Sequence, residues 1–159
     1  MDLKRILLSV IALVALTAVS PAQDKAQGDR SQWMTEMRQY KRAYLTKELD
    51  LSSQQESKFF PLYEDMEDEI ARINDEARSL EKKVADMDNA TDADYEKATE
   101  AVYNAKTREA AIEREYLDKF KTILSPRQMF RLKAVERSFN RELMKQHHRL
   151  RSRAKAADR

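Results

Sequence analysis

The chain holds no cysteine, one glycine and three prolines in 159 residues. Each scarcity excludes something. Without cysteine there is no disulfide, no thiol nucleophile and no Cys-type zinc site, so the fold must rest on packing alone. Loops that cradle phosphate and turns that admit a dinucleotide need several glycines, and Gly28 stands alone. A Ser-His-Asp triad would have only His147 and His148 to draw on. Being adjacent, these two point about 100° apart on a helix and form no two-ligand face. No enzymatic activity, cofactor or metal is therefore expected. With turn-formers this scarce, the chain should be nearly all helix.

What is present is apolar periodicity. Phe59, Tyr63, Met66, Ile70 and Ile73 continue into Ala77, Leu80, Val84 and Met87, in steps that alternate four and three. That is the seam of a helix wound on another helix, a coiled-coil spacing. The partner stripe follows after Asp88-Asn89-Ala90-Thr91 as Tyr95, Ala98, Val102 and Ala105, then Ile112, Tyr116, Phe120 and Ile123. Folded back as an antiparallel α-hairpin, Met87 should meet Tyr95 and Phe59 should meet Ile123. Glu109 interrupts the second stripe, and its carboxylate should reach the edge. Helices are expected at 31–49, 53–87, 92–123 and 126–153.

The breaks between helices carry their own signals. Ser52 suits an N-cap with Gln55 reaching back to close a capping box, and Ser125 with Gln128 repeats the device. Pro126 then takes the first helical position, and Leu124 with Met129 fits a hydrophobic staple. Either Thr91 or Asp92 caps the third helix. Pro61 should kink the second helix. The sequon Asn89-Ala90-Thr91 reads as chance in a turn.

The N-terminus reads as a targeting segment. Lys4 and Arg5 precede an apolar run from Ile6 to Val19, and Ser20-Pro21-Ala22 offers small residues for cleavage after Ala22. Residues 1–22 are thus expected to be a signal peptide, 23–30 a flexible lead-in, 31–153 one helical domain and 154–159 a basic disordered tail. No stable membrane anchor should remain after cleavage. Charge is segregated. Residues 131–159 hold ten Lys/Arg against three Asp/Glu, whereas residues 48–100 hold seventeen Asp/Glu against six Lys/Arg. Such polarity suits contacts between subunits or attraction of charged partners. Export argues against nucleic acid as the partner of the basic end.

The boxes Leu51-Ser52-Ser53-Gln54-Gln55 and Leu124-Ser125-Pro126-Arg127-Gln128 carry a resemblance. The sequence resembles the Spy/CpxP-like periplasmic chaperones, which have paired Leu-Thr-x-x-Gln motifs; here Ser stands for Thr in both. Signal peptide, length and motif spacing agree with that family. The resemblance implies an all-α fold: a four-helix elongated domain built on a long antiparallel α-hairpin, assembled as a curved, cradle-like homodimer. It implies a periplasmic, ATP-independent chaperone that binds unfolded or misfolded envelope proteins during envelope stress. For some members it implies binding to a sensor kinase domain. A metal-sensing branch uses histidines near the first helices, and this chain has none there. The acidic hairpin is a departure, because the best-known chaperones of the family are basic.

On the chaperone reading, the client-binding candidates on the first helix are Trp33, Met34, Met37, Tyr40 and Tyr44, a face that serves either as core or as binding surface. Near the helix junctions they are Phe59, Phe60, Met129 and Phe139, with Arg131, Arg137, Arg141 and Lys145 as a charged rim. The alternative is a periplasmic regulator that binds one sensor kinase or anti-sigma partner. A third reading is a purely structural coiled coil with no apolar surface left exposed.

Overall fold

A computed structural model of the chain describes the backbone of residues 23–157 and the side chains of residues 32–145. The expected signal segment and its cleavage site lie outside the described residues. Four helices account for almost all of the rest: α1 (Gln23–Leu49), α2 (Ser53–Ala85), α3 (Asp92–Phe120) and α4 (Pro126–Ala157). No strand occurs among the described residues, so the fold is all-α. Two outer ends differ from expectation. Positions 23–30 are helical, not a lead-in, and the helix of α4 runs on through 154–157. Gln, Lys and Ala are strong helix formers, and one Gly costs only about 1 kcal/mol in a helix this long.

Packing divides the chain into two compact units. The span 53–129 forms one; the segment ending at Ser52 and the segment starting at Phe130 form the other. Positions 31–153, read as one domain, are therefore shared between two units.

In the 53–129 unit, α2 and α3 pack along their lengths through an aromatic core. Phe59 lies 5.0 Å from Phe120 edge-on, 5.1 Å from Tyr63 and 5.3 Å from Phe60, between ring centroids. Tyr116 stacks at a tilt beside Phe120, 6.1 Å away. Phe59 and Phe60 are completely or almost completely buried. Each such ring contributes about 3 kcal/mol at most by leaving water. Further along, Asn74 donates to the Glu109 carboxylate at 3.4 Å, and Arg108 lies 3.9 Å from Glu76. The contacts run in inverse order along the two helices. Glu109 sits half-buried, at the edge of the packing. Ile73, Ala77 and Val84 of α2 and Ala98 and Ala105 of α3 are buried, the alanines allowing close approach. Met87 and Tyr95, expected to face each other, are 40% and 54% exposed. Both lie beyond the last buried layer, where α2 has ended at Ala85 and α3 has only begun.

Thr91 closes that end. Its hydroxyl accepts from the Asp94 N–H while its own N–H donates to the Asp94 carboxylate at 2.9 Å, a complete capping box. The Thr91 hydroxyl, donating to the Asp94 carboxylate at 2.7 Å, and then the Thr91 N–H hold that carboxyl below its ordinary range.

In the other unit, α1 and α4 meet through a smaller core. Tyr40 and Tyr44 lie 5.5 and 5.4 Å from Phe139, with Met37 and Leu143 packed beside them. The Tyr44 hydroxyl bonds the Ser138 Oγ at 3.2 Å. Burial, with Glu142 and Tyr44 nearby, raises the Tyr40 hydroxyl above its ordinary value.

Candidate functional site

The two Ser-x-x-Gln boxes are where the structure departs most usefully from local reasoning. Ser125 and Gln128 form the expected box: the Ser125 N–H donates to Gln128 Oε1 at 2.9 Å, and the Gln128 N–H donates to Ser125 Oγ at 3.3 Å. Gln55 does something the local pattern does not foresee. Its amide Nε2 donates to the Ile123 carbonyl at 3.0 Å and to Gln128 Oε1 at 2.9 Å. Gln128 Nε2 returns a bond to Gln55 Oε1 at 3.2 Å. The glutamines of the two motifs thus form a reciprocal amide pair across 73 residues of sequence. Backbone groups fix the orientation of both amides, since an N–H faces Gln128 Oε1 and a carbonyl faces Gln55 Nε2. Leu51 and Leu124, which open the motifs, are buried.

The candidate client residues separate into two groups. Tyr40, Phe59, Phe60 and Phe139 are at most 5% exposed, so they are core side chains and present no surface in this conformation. Met37, Tyr44 and Met129 are half-buried. Trp33 and Met34, one turn before Met37, remain 38% and 45% exposed. The periodicity is the same along the whole stripe; only the extent of cover changes.

The cationic candidates separate as well. Arg137, Arg141 and Lys145 are exposed. Arg131 has a structural task instead. Asp50, at φ 52°, takes the left-handed conformation that ends α1. Leu51 N–H then bonds Thr46 O at 3.0 Å and Asp50 N–H reaches Lys47 O at 3.4 Å, the paired bonds of a Schellman motif. An aspartate fills the place that glycine usually takes. The Arg131 guanidinium grips this end, donating to the Glu48 carbonyl and to the Asp50 carboxylate, the latter at 3.4 Å. It brings positive charge to the negative end of the helix dipole. Arg131, expected in the charged rim, is half-buried and held in this clasp.

Other exposed apolar residues escaped the sequence reading. Phe130 is 87% exposed, Met144 69% and Tyr103 66%. All three lie off the seams that the heptad steps pick out, and the available signal was their angular position opposite the buried stripe. Lys106 sits over the Tyr103 ring, 5.5 Å from its centroid.

Among the described residues no group of His, Cys, Asp and Glu is arranged to hold a metal ion. His147 and His148 lie outside the described side chains. No helix among the described residues is long and apolar enough to cross a membrane. Comparisons with protein-family models, curated proteins and solved structures found no match.

Proposed function

We propose that this protein is a periplasmic, ATP-independent chaperone of the Spy/CpxP-like kind, which binds unfolded or misfolded envelope proteins. In this reading α2 and α3 form a long antiparallel α-hairpin, and two copies assemble as a curved homodimer. The observation that carries it is the exposed pair Trp33 and Met34, next to the half-buried Met37 on the same face of α1. A wide aromatic ring and a flexible thioether suit weak contact with many apolar sequences. The joined Gln55 and Gln128 also favour the family resemblance, because they make one working element of the two motifs.

The test is light scattering of a chemically unfolded client with the exported, purified protein and no nucleotide. Aggregation should be suppressed at near-stoichiometric ratios. Trp33→Ser with Met34→Ser should weaken protection at least severalfold while leaving the helical melt in place. Tyr40→Ser should lower the melt itself, because Tyr40 is core. A protein that protects no client, yet binds a single sensor domain tightly, would be the periplasmic regulator instead.

A further inference from the structure

α4 carries a second face that its own packing leaves unused. Leu132, Val135 and Phe139 are buried and define its inner side. On the opposite side Phe130, Ala134, Arg137, Arg141 and Met144 follow one another at steps of four, three, four and three. All five are exposed, Phe130 and Met144 by 87% and 69%. At 1.5 Å per residue the stripe is about 21 Å long. Its positions include no carboxylate. The nearest acids of α4 turn elsewhere: Glu136 is half-buried and pairs with Lys133 at 3.3 Å, and Glu142 faces Tyr40. Two apolar side chains therefore stand at the ends of a line with two guanidiniums between them, and exposed Lys145 alongside.

We propose that this stripe docks reversibly on an anionic lipid surface. Arg137 and Arg141 would pair with headgroup phosphates, and Phe130 and Met144 would enter the boundary between headgroups and acyl chains. Charge complementarity selects an anionic partner, and shape selects among anionic partners. The stripe is a ridge on one convex helix whose backbone groups are already bonded within the helix. It offers a polypeptide neither a groove nor a strand edge. A continuous anionic plane meets both guanidiniums and both apolar ends at once. This inference goes beyond the chaperone reading and does not depend on it.

The experiment is co-sedimentation of the exported, purified protein with vesicles of phosphatidylglycerol and phosphatidylcholine, and with vesicles of phosphatidylcholine alone. Binding should be at least tenfold stronger on the anionic vesicles and should fall with salt. Arg137→Glu with Arg141→Glu should reduce it more than tenfold. Any insertion through residues 6–19 would be indifferent to that change, so the variant separates the two. Phe130→Trp in a Trp33→Phe background should show a blue-shifted emission on anionic vesicles only. Equal binding by the double variant, or no shift at position 130, would overturn the proposal. So would full displacement from vesicles by soluble polyglutamate at low excess, which would assign the stripe to acidic polypeptides. Loss of self-association in the double variant, with no vesicle binding by the parent, would assign it to a second copy and overturn the proposal as well.

Discussion

The two units are built from the same material, helical pairs with stripes of aromatic and aliphatic residues, but they are fastened differently. The 53–129 unit is closed at both ends. One end carries the Thr91 capping box and the other the Gln55–Gln128 pair, with five packed aromatic rings near the latter. In the unit of α1 and α4, one described end is gripped by Arg131, while Trp33 and Met34 lie exposed toward the other. The difference teaches that periodicity sets which faces meet, while polar fastenings set how firmly. Toward that other end apolar surface stays within reach, and among the described residues Trp33 and Met34 are the exposed members of the candidate client face on α1.

The largest expected effect tests the two cores against each other. Phe59→Ala should cost the 53–129 unit about 3–5 kcal/mol, because its three ring neighbours have little room to collapse into the cavity. Phe139→Ala should cost the other unit less, about 3 kcal/mol or below, since half-buried Met37, Tyr44 and Leu143 can close in. Hydrogen exchange read segment by segment during denaturation checks the pair. Equal losses would mean that the two cores are equally rigid.

The next comparison concerns the fastenings. Gln55→Ala and Gln128→Ala, singly and together, should show a coupling of about 1 kcal/mol in a double-mutant cycle. Simple additivity would argue that the amides do not hold each other. Arg131→Ala should lower the stability of the α1–α4 unit by about 1 kcal/mol, with Arg131→Lys a poor rescue because an ammonium lacks the planar fork. Thermal melts of the three proteins decide it.

The smallest effect is the acid response of the Thr91 end. The Asp94 carboxyl is held below its ordinary value, first by the Thr91 hydroxyl and then by the Thr91 backbone N–H. A depressed folded-state value means that its contribution is complete above the ordinary carboxylate range. That contribution is lost as pH falls through the lower, folded-state value. In an NMR acid titration, Thr91→Ala should bring the Asp94 titration back up toward the ordinary value. A titration unmoved by that change would show that the box does not hold the carboxylate.

How much of this was legible beforehand depends on the range of the signal. The all-α class and the starts of α2, α3 and α4 are readable: Thr91 and Ser125 cap their immediate neighbours, Pro126 opens α4, and α2 starts directly after Ser52. The outer ends of α1 and α4 extend past the expected helices, because polar residues of high helix propensity suit a helix as well as a tail. The candidate site was legible as a set of faces but not as a surface. Tyr40 and Trp33 share one stripe, yet only the distribution of partners decides that one is core and the other exposed. The bond between Gln55 and Gln128 was invisible because each residue already had a sufficient local role. The clasp of Arg131 was hidden for the same reason, as a guanidinium in a basic run looks like solvated charge until a helix end is placed beside it.

The Gln55–Gln128 pair also fixes how this joint can fail. Neither amide titrates and neither carries charge, so acid that protonates carboxylates and salt that screens ion pairs leave it alone. Its weakness is chemical ageing. Hydrolysis of the Gln55 amide to a carboxylate removes both of its donors and sets an anion against the Ile123 carbonyl and Gln128 Oε1. A joint indifferent to its surroundings would then open irreversibly, one molecule at a time, on the timescale of deamidation.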